Sequence, residues 1–370
     1  MNRWSVYHGT FLARGVILAA LFSSPAQIYQ HTMTIAETEP NNSPETAQSL
    51  GQLQRGITIV INGRAGTGDP GTQVKQVVDD CEERSPFQDF YTFTLPEAMD
   101  VGLSLTFDAA ADLDLWLFYH KANPGPNDAV IKLVTASAAT ARGVAETIAP
   151  RALEAGTYYV AVNAPQFPRI PSSPYTLMLD VGKSATELHQ LEDYLCHGDG
   201  FEEIGIFVNR FRPTRYPAEL ESVTCEFLKG HYTPSPVGKQ VRLVGFIDPT
   251  GADEPPVNPA FTIDRRETIV RVGRTVHGRV KVTFDPPIRI TQGYMYLGVE
   301  IAADARTTGV VLGVAKNIYG QRTYVSTDGG RTFRLASILP AEEPNPPEHT
   351  AIIRPEFRLI RLHEAASGHH

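Results

Sequence analysis

Gln88-Asp89-Phe90-Tyr91-Thr92-Phe93-Thr94-Leu95 alternates in character residue by residue. In an extended chain neighbouring side chains point to opposite faces, so Phe90 and Thr92 oppose Tyr91 and Phe93, and one face is buried. The same period returns downstream. Asp112-Leu113-Asp114-Leu115-Trp116-Leu117 puts its three leucines on one face. Asp112 and Asp114 fall on the other, which reads as a solvated strand face. Ala155-Gly156-Thr157-Tyr158-Tyr159-Val160-Ala161-Val162 and Tyr175-Thr176-Leu177 continue the pattern. Short alternating strands broken by Gly, Pro and Asn turns predict a sandwich of two antiparallel sheets. With 28 prolines and 30 glycines, and few runs of helical period, the whole chain reads as β-rich.

Upstream lies Glu37-Thr38-Glu39-Pro40-Asn41-Asn42-Ser43-Pro44-Glu45-Thr46-Ala47-Gln48-Ser49-Leu50. Glu37, Glu39, Asn41 and Asn42 gather oxygen-bearing side chains within a few residues. Calcium takes six to eight hard oxygen ligands, whereas magnesium keeps its waters and demands a strict octahedron. The pattern therefore predicts calcium. The competing reading is an Asx-turn at Asn41 and Asn42 with solvated glutamates.

This stretch resembles the opening of the bacterial pre-peptidase C-terminal domain, whose members begin E-x-E-P-N-[DN]-S, with a T-A and a leucine soon after. The Asp89, Asp112, Ala155 and Tyr175 strands match further landmarks of that family in family order, over residues 37–182. The Gly- and Asp-rich stretch at 64–87 departs from it. The resemblance implies a jelly-roll-like sandwich that serves as a non-catalytic accessory domain of secreted enzymes. Family members often bind calcium, and some bind collagen or other polymers. It carries metal ligation onto Glu37, Glu39, Asn41 and Asn42 position by position, and onto Asp89 as a further ligand.

The chain has 370 residues, enough for two domains at roughly 150 residues each. A net charge of −8 argues against a nucleic-acid surface, which needs clustered Lys and Arg. The N-terminus reads as an export signal over residues 1–26. Arg3 and Arg14 supply positive charge, residues 15–22 a short apolar core, and Ser23-Ser24-Pro25-Ala26 a small-residue exit. The mature chain is then expected to start near residue 27, in a secreted or periplasmic protein. The apolar core is too short to span a bilayer, and no membrane anchor is expected after cleavage. Cys81, Cys196 and Cys225 have no metal-site spacing. In an exported chain Cys196 and Cys225 are candidates for a disulfide, worth about 3 kcal/mol. Otherwise all three are packed thiols.

Within residues 183–196, Leu188, Leu191 and Leu195 recur at helical spacing, which predicts a short amphipathic linker helix. Beyond it, Arg279-Val280-Lys281-Val282-Thr283-Phe284 and Tyr294-Met295-Tyr296-Leu297-Gly298-Val299 alternate again. They predict a second sandwich over 197–362, followed by a tail at 363–370. Asp199-Gly200-Phe201-Glu202-Glu203, Tyr216-Pro217-Ala218-Glu219-Leu220-Glu221-Ser222-Val223 and residues 293–299 resemble, in order, a jelly-roll module of exported bacterial proteins. The expected fold is therefore all-β, two jelly-roll-like sandwiches (37–182 and 197–362) joined by a short helix. Ser326-Thr327-Asp328-Gly329-Gly330-Arg331-Thr332-Phe333 fits the Asp-box, a hairpin turn capped by its aspartate. One copy builds no propeller, whose blades repeat.

The sequence has no H-E-x-x-H zinc site and no G-x-S-x-G nucleophile elbow. Tyr158, Tyr159 and Trp116 are candidates for an aromatic strip that contacts a ligand, although adjacent tyrosines point to opposite faces. The expectation is an exported, non-catalytic accessory protein that contacts an extracellular polymer or protein or assists secretion. The rival is a secreted hydrolase with an unrecognised site in its second half.

Overall fold

A computed structural model of the protein describes residues 31–66, 68–69, 72–78, 81–122, 131–139, 141–164, 172–201, 205–228, 235–272, 278–301, 311–319, 322–336 and 349–360. The export segment at 1–26 and the tail at 363–370 lie outside the described residues. Every regular element among the described residues is a strand. The first half holds β1 (His31–Ala36), β2 (Gln48–Gln52), β3 (Ile57–Ala65), β4 (Thr72–Val78), β5 (Cys81–Leu95) and β6 (Met99–Phe107). It continues with β7 (Asp114–His120), β8 (Ile131–Ser137), β9 (Glu146–Leu153), β10 (Gly156–Asn163) and β11 (Ser173–Val181). Next come β12 (Thr186–Leu188), β13 (Glu192–Phe201), β14 (Gly205–Phe211), β15 (Ala218–Leu228), β16 (Gln240–Asp248), β17 (Arg266–Ile269) and β18 (Arg271–Val272). The chain ends with β19 (Gly278–Ile290), β20 (Tyr294–Ile301), β21 (Val311–Asn317), β22 (Thr323–Ser326), β23 (Arg334–Leu335), β24 (His349–Ala351) and β25 (Ile353–Leu359).

One long sheet runs β1-β3-β11-β6-β9-β12-β25-β15-β19-β18, with β13, β21 and β24 attached at its side. Two further sheets cover it. β2-β5-β10-β7-β8 lies over the first half and β17-β16-β20-β14-β22-β23 over the second. Alternation fills both inner faces. The first core takes Ile59 and Ile61 of β3, Leu177 and Leu179 of β11, Tyr91 and Phe93 of β5, and Leu115 and Leu117 of β7. The second takes Val223 and Phe227 of β15, Val280 and Val282 of β19, and Leu297 and Val299 of β20. The sheets are mixed where antiparallel order is expected: β1 on β3, β2 on β5 and β12 on β9 run parallel.

Three expectations need correction. No helix spans 183–196. Residues 186–188 form β12, which pairs antiparallel with β25 and touches β9 through Leu188 and Arg151, so one sheet crosses the junction. The leucine spacing misled because Leu191 enters the second core from an extended chain, and polar side chains fill the junction beside it. Glu187, His189 and Gln190 are buried there, while Leu188 is only partly covered. Second, the outer face of β7 is not solvated. Asp112 and Asp114 are buried, and Trp116 and Phe118 join Phe90 and Ala161 in an outer cluster. Third, Cys225 is a free, buried thiol that points into the second core, so the bond to Cys196 is not formed. The side chains of Cys196 and Cys81 lie outside the described residues.

The Asp-box is a capped turn as expected. Asp328 Oδ1 accepts from the amides of Arg331 and Thr332 at 2.9 and 3.0 Å, and Oδ2 from the Thr332 hydroxyl at 2.7 Å. These donors, the Thr332 hydroxyl and amide foremost, hold the carboxyl well below the usual range. Gly329 and Gly330 take φ of 79° and 91°, the region where glycine meets no steric cost. No helix among the described residues is long and apolar enough to cross a membrane.

Candidate metal centre

The segment after β1 is stitched between the two sheets of the first half. The Glu37 amide donates to Asn62 O of β3 at 3.0 Å, and Phe90 N of β5 donates to Asn41 O at 2.8 Å. These backbone bonds aim the side chains of 37–41 at the middle of β5, where Asp89 is buried. Ligand oxygens of Glu37, Glu39 and Asp89 come within 4.8 Å of one another.

Two phenols support the carboxylates from the core side. Tyr91 and Tyr175 each donate to Glu37 Oε1 at 2.9 Å, and Tyr175 also lies 2.7 Å from Asp89 Oδ2. The Arg64 amide donates to Glu37 Oε2 at 2.8 Å. Asn41 gives its backbone amide to Glu39 Oε2 at 2.9 Å and its side-chain nitrogen to Glu37 Oε1 at 3.3 Å. Backbone and phenols come close because Gly63 carries no side chain: a Cβ there would sit 2.5 Å from the Tyr175 ring and 2.9 Å from Glu37 Oε1.

Two acceptors in this cradle have no hydrogen-bond donor. Asn41 Oδ1 and Asp89 Oδ1 are both buried and unpartnered, on residues with 0% exposure. An unmet buried acceptor costs roughly 1–3 kcal/mol, more when it is charged. The electrostatics point the same way. Burial first, then the charge of Glu37, pushes the Asp89 carboxyl well above its usual range. Asp69 is pushed up to about 7 by burial and then by Glu39. Like charges crowded in a poorly solvated site raise one another's pKa, and a cation reverses that.

Of the residues singled out by sequence, Glu37, Glu39, Asn41 and Asp89 converge. Asn42 stands one step back, with its side-chain nitrogen 3.5 Å from Asp69 Oδ1. Asp69 is the residue the sequence reading missed. Its signal was a Gly68-Asp69-Pro70 turn in the departing stretch, and spacing alone does not reveal that the loop folds back. Oxygens of three convergent carboxylates and one amide, with Asp69 beside them, suit a hard divalent cation of the calcium type.

Tyr158 and Tyr159 do not form a ligand-facing strip. Tyr158 is fully buried, stacked on Phe93 with ring centroids 5.5 Å apart, and donates to Glu154 O at 2.9 Å. Tyr159 is half-buried on the other face, against the His120 ring. Trp116 is covered and stacked on Phe118. Strand alternation sends one tyrosine of an adjacent pair into each layer, and here both layers are packed.

No curated protein matches the chain. Among solved structures it is similar to the cysteine protease and lectin-like domains of Cwp84, a surface-layer-associated protein of Clostridium difficile. Identity is 12%, the match covers 76% of this chain and 65% of that one, and the TM-score is 0.30. A second similar structure is clostridial Cwp84 after propeptide cleavage, at 13% identity, 76% and 73% coverage and a TM-score of 0.30. The chain thus spans 65% of the first of these. Residues 87–164, which hold the Asp89, Asp112 and Ala155 landmarks, match the bacterial pre-peptidase C-terminal domain.

Proposed function

We propose that the protein is an exported, non-catalytic accessory module. Its first sandwich binds calcium, and the molecule contacts an extracellular polymer or protein. The two cores correspond in this reading to two sandwich units, over 37–182 and 197–362. The basic, apolar and small-residue order of 1–26 and the match to a pre-peptidase C-terminal domain support export.

The observation that carries the calcium reading is the pair of unpartnered buried oxygens, Asn41 Oδ1 and Asp89 Oδ1, within a cradle of carboxylates. Glu37, Glu39, Asp69 and Asp89 would supply charge, Asn41 Oδ1 a neutral oxygen, and water and backbone the remaining positions. Bound there, the ion would neutralise four carboxylates that otherwise repel and would fix the segment after β1 onto β3 and β5. Its role is structural.

A ligand that binds only the folded form stabilises it by RT ln(1 + [L]/Kd), about 2.7 kcal/mol at a hundredfold excess over Kd. Thermal unfolding in calcium and in chelator is the test, on wild type and on Glu37→Gln/Asp89→Asn. Wild type should melt higher in calcium, and the double variant should ignore it. An unchanged wild-type melting temperature, together with no heat of calcium binding, would overturn the reading.

A further inference from the structure

Where the two cores meet there is a cleft of about 430 Å³. That lies within the ~300–1,000 Å³ of ordinary ligand sites, which favour junctions of this kind. Ala98, Ala152, Ala155 and the partly exposed rings of Tyr294 and Tyr319 give it apolar surface; Arg210 and Arg322 give it polar edges. It is a different site from the carboxylate cradle, with which it shares no residue.

Its charges are nearly all spent on one another. Arg322 grips Glu154 with both terminal nitrogens. Arg210 reaches Asp253 Oδ1 at 3.3 Å, and its guanidinium lies 4.7 Å from the centre of the Tyr294 ring. Glu97 turns to Arg55 at 3.5 Å. Arg212, also on the lining, is exposed; it meets the Tyr216 hydroxyl and has no carboxylate partner among the described residues. Paired walls of this kind hold donors and acceptors in fixed positions without a strong field. They suit hydroxyl groups, which both donate and accept. The apolar surface suits the C–H face of a sugar ring. A guanidinium with no carboxylate partner, whose planar fork matches a carboxylate, suits an acid group on such a sugar.

We propose that this cleft binds a short saccharide carrying a carboxylate. The proposal rests on the binding role given above, but not on the cation site. It is tested on the full chain in saturating calcium, by calorimetric titration with trigalacturonate, trimannuronate and a hyaluronan tetrasaccharide. Maltotriose is the neutral control. At least one acidic saccharide should bind and maltotriose should bind more weakly. Ala155 is exposed on the cleft rim, so Ala155→Trp should fill the opening and abolish binding. Arg212→Gln should weaken the acidic ligand roughly tenfold and leave maltotriose unchanged. Both variants should keep the calcium-dependent melting of wild type, which separates loss of the cleft from loss of the fold. No binding of any acidic probe, binding that survives Ala155→Trp, or equal binding of maltotriose would overturn the proposal. A polymer or protein captured equally well by Ala155→Trp would leave the binding role standing and sink the cleft alone.

Discussion

Cys225 sits in the middle of β15, opposite Val280 of β19 and Ile353 of β25. Burial, and secondarily Glu226, pushes its thiol up to about 12. A thiolate is the reactive form, and here it does not form at neutral pH. In a Cys81→Ser/Cys196→Ser background, the remaining thiol should therefore ignore Ellman's reagent until urea unfolds the chain. Rapid labelling of the native protein would contradict this placement. Residue scale is also where the sequence was most and least legible. Glu37, Glu39 and Asn41 could be identified because they are close in sequence and share one chemistry. Asp69 could not, since its part in the cradle depends on how a loop folds. Nor could the burial of Asp112 and Asp114, which period-two alternation assigns to an outer face without saying whether that face is covered.

At the scale of elements, β5, β7, β10 and β11 coincide with the alternating stretches because one face of each must meet the core. β12 was illegible for the opposite reason: it is held by polar bonds. Glu187 Oε1 lies 2.9 Å from His189 Nε2 and accepts from the Thr214 amide at 2.9 Å, and its other oxygen accepts from the Thr214 hydroxyl. Burial alone would raise the Glu187 carboxyl, but His189 and then the Thr214 donors outweigh it and hold the group below its ordinary value. A carboxyl lowered by folding stabilises the protein above its unfolded pKa. That contribution is lost as pH falls through the folded value. Glu187→Gln should therefore cost about 2 kcal/mol at neutral pH and progressively less in acid, so the two stability curves converge. Urea titrations across that range measure it. Parallel curves at all pH values would mean that the charge of Glu187 contributes nothing. The parallel strand pairs were hidden too, because partners such as β2 and β5 are distant in sequence and share no pattern.

At the scale of the molecule, the two cores share more than a chain crossing. Ile318, from the second half, is a member of the first core. Tyr319 packs against both, its ring centre 5.1 Å from that of Tyr119. Arg55 reaches Thr214 O at 3.3 Å, and Arg322 holds Glu154. Neither half can unfold without stripping contacts from the other, so calorimetry should record one transition with equal calorimetric and van't Hoff enthalpies. Two resolved transitions would show that the shared residues do not couple the halves. The pair Tyr91 and Tyr175 has a consequence of another kind. Their phenols stand 2.5 Å apart, both turned toward Glu37 Oε1, at the floor of the proposed cation site. The colour of a phenol depends on what its hydroxyl bonds to. A cation that draws electron density from Glu37 weakens both bonds and moves the near-ultraviolet absorption of the two rings to shorter wavelength. Calcium added to the protein should therefore give a tyrosine difference spectrum that a chelator reverses, an expected readout of the proposed site without any label.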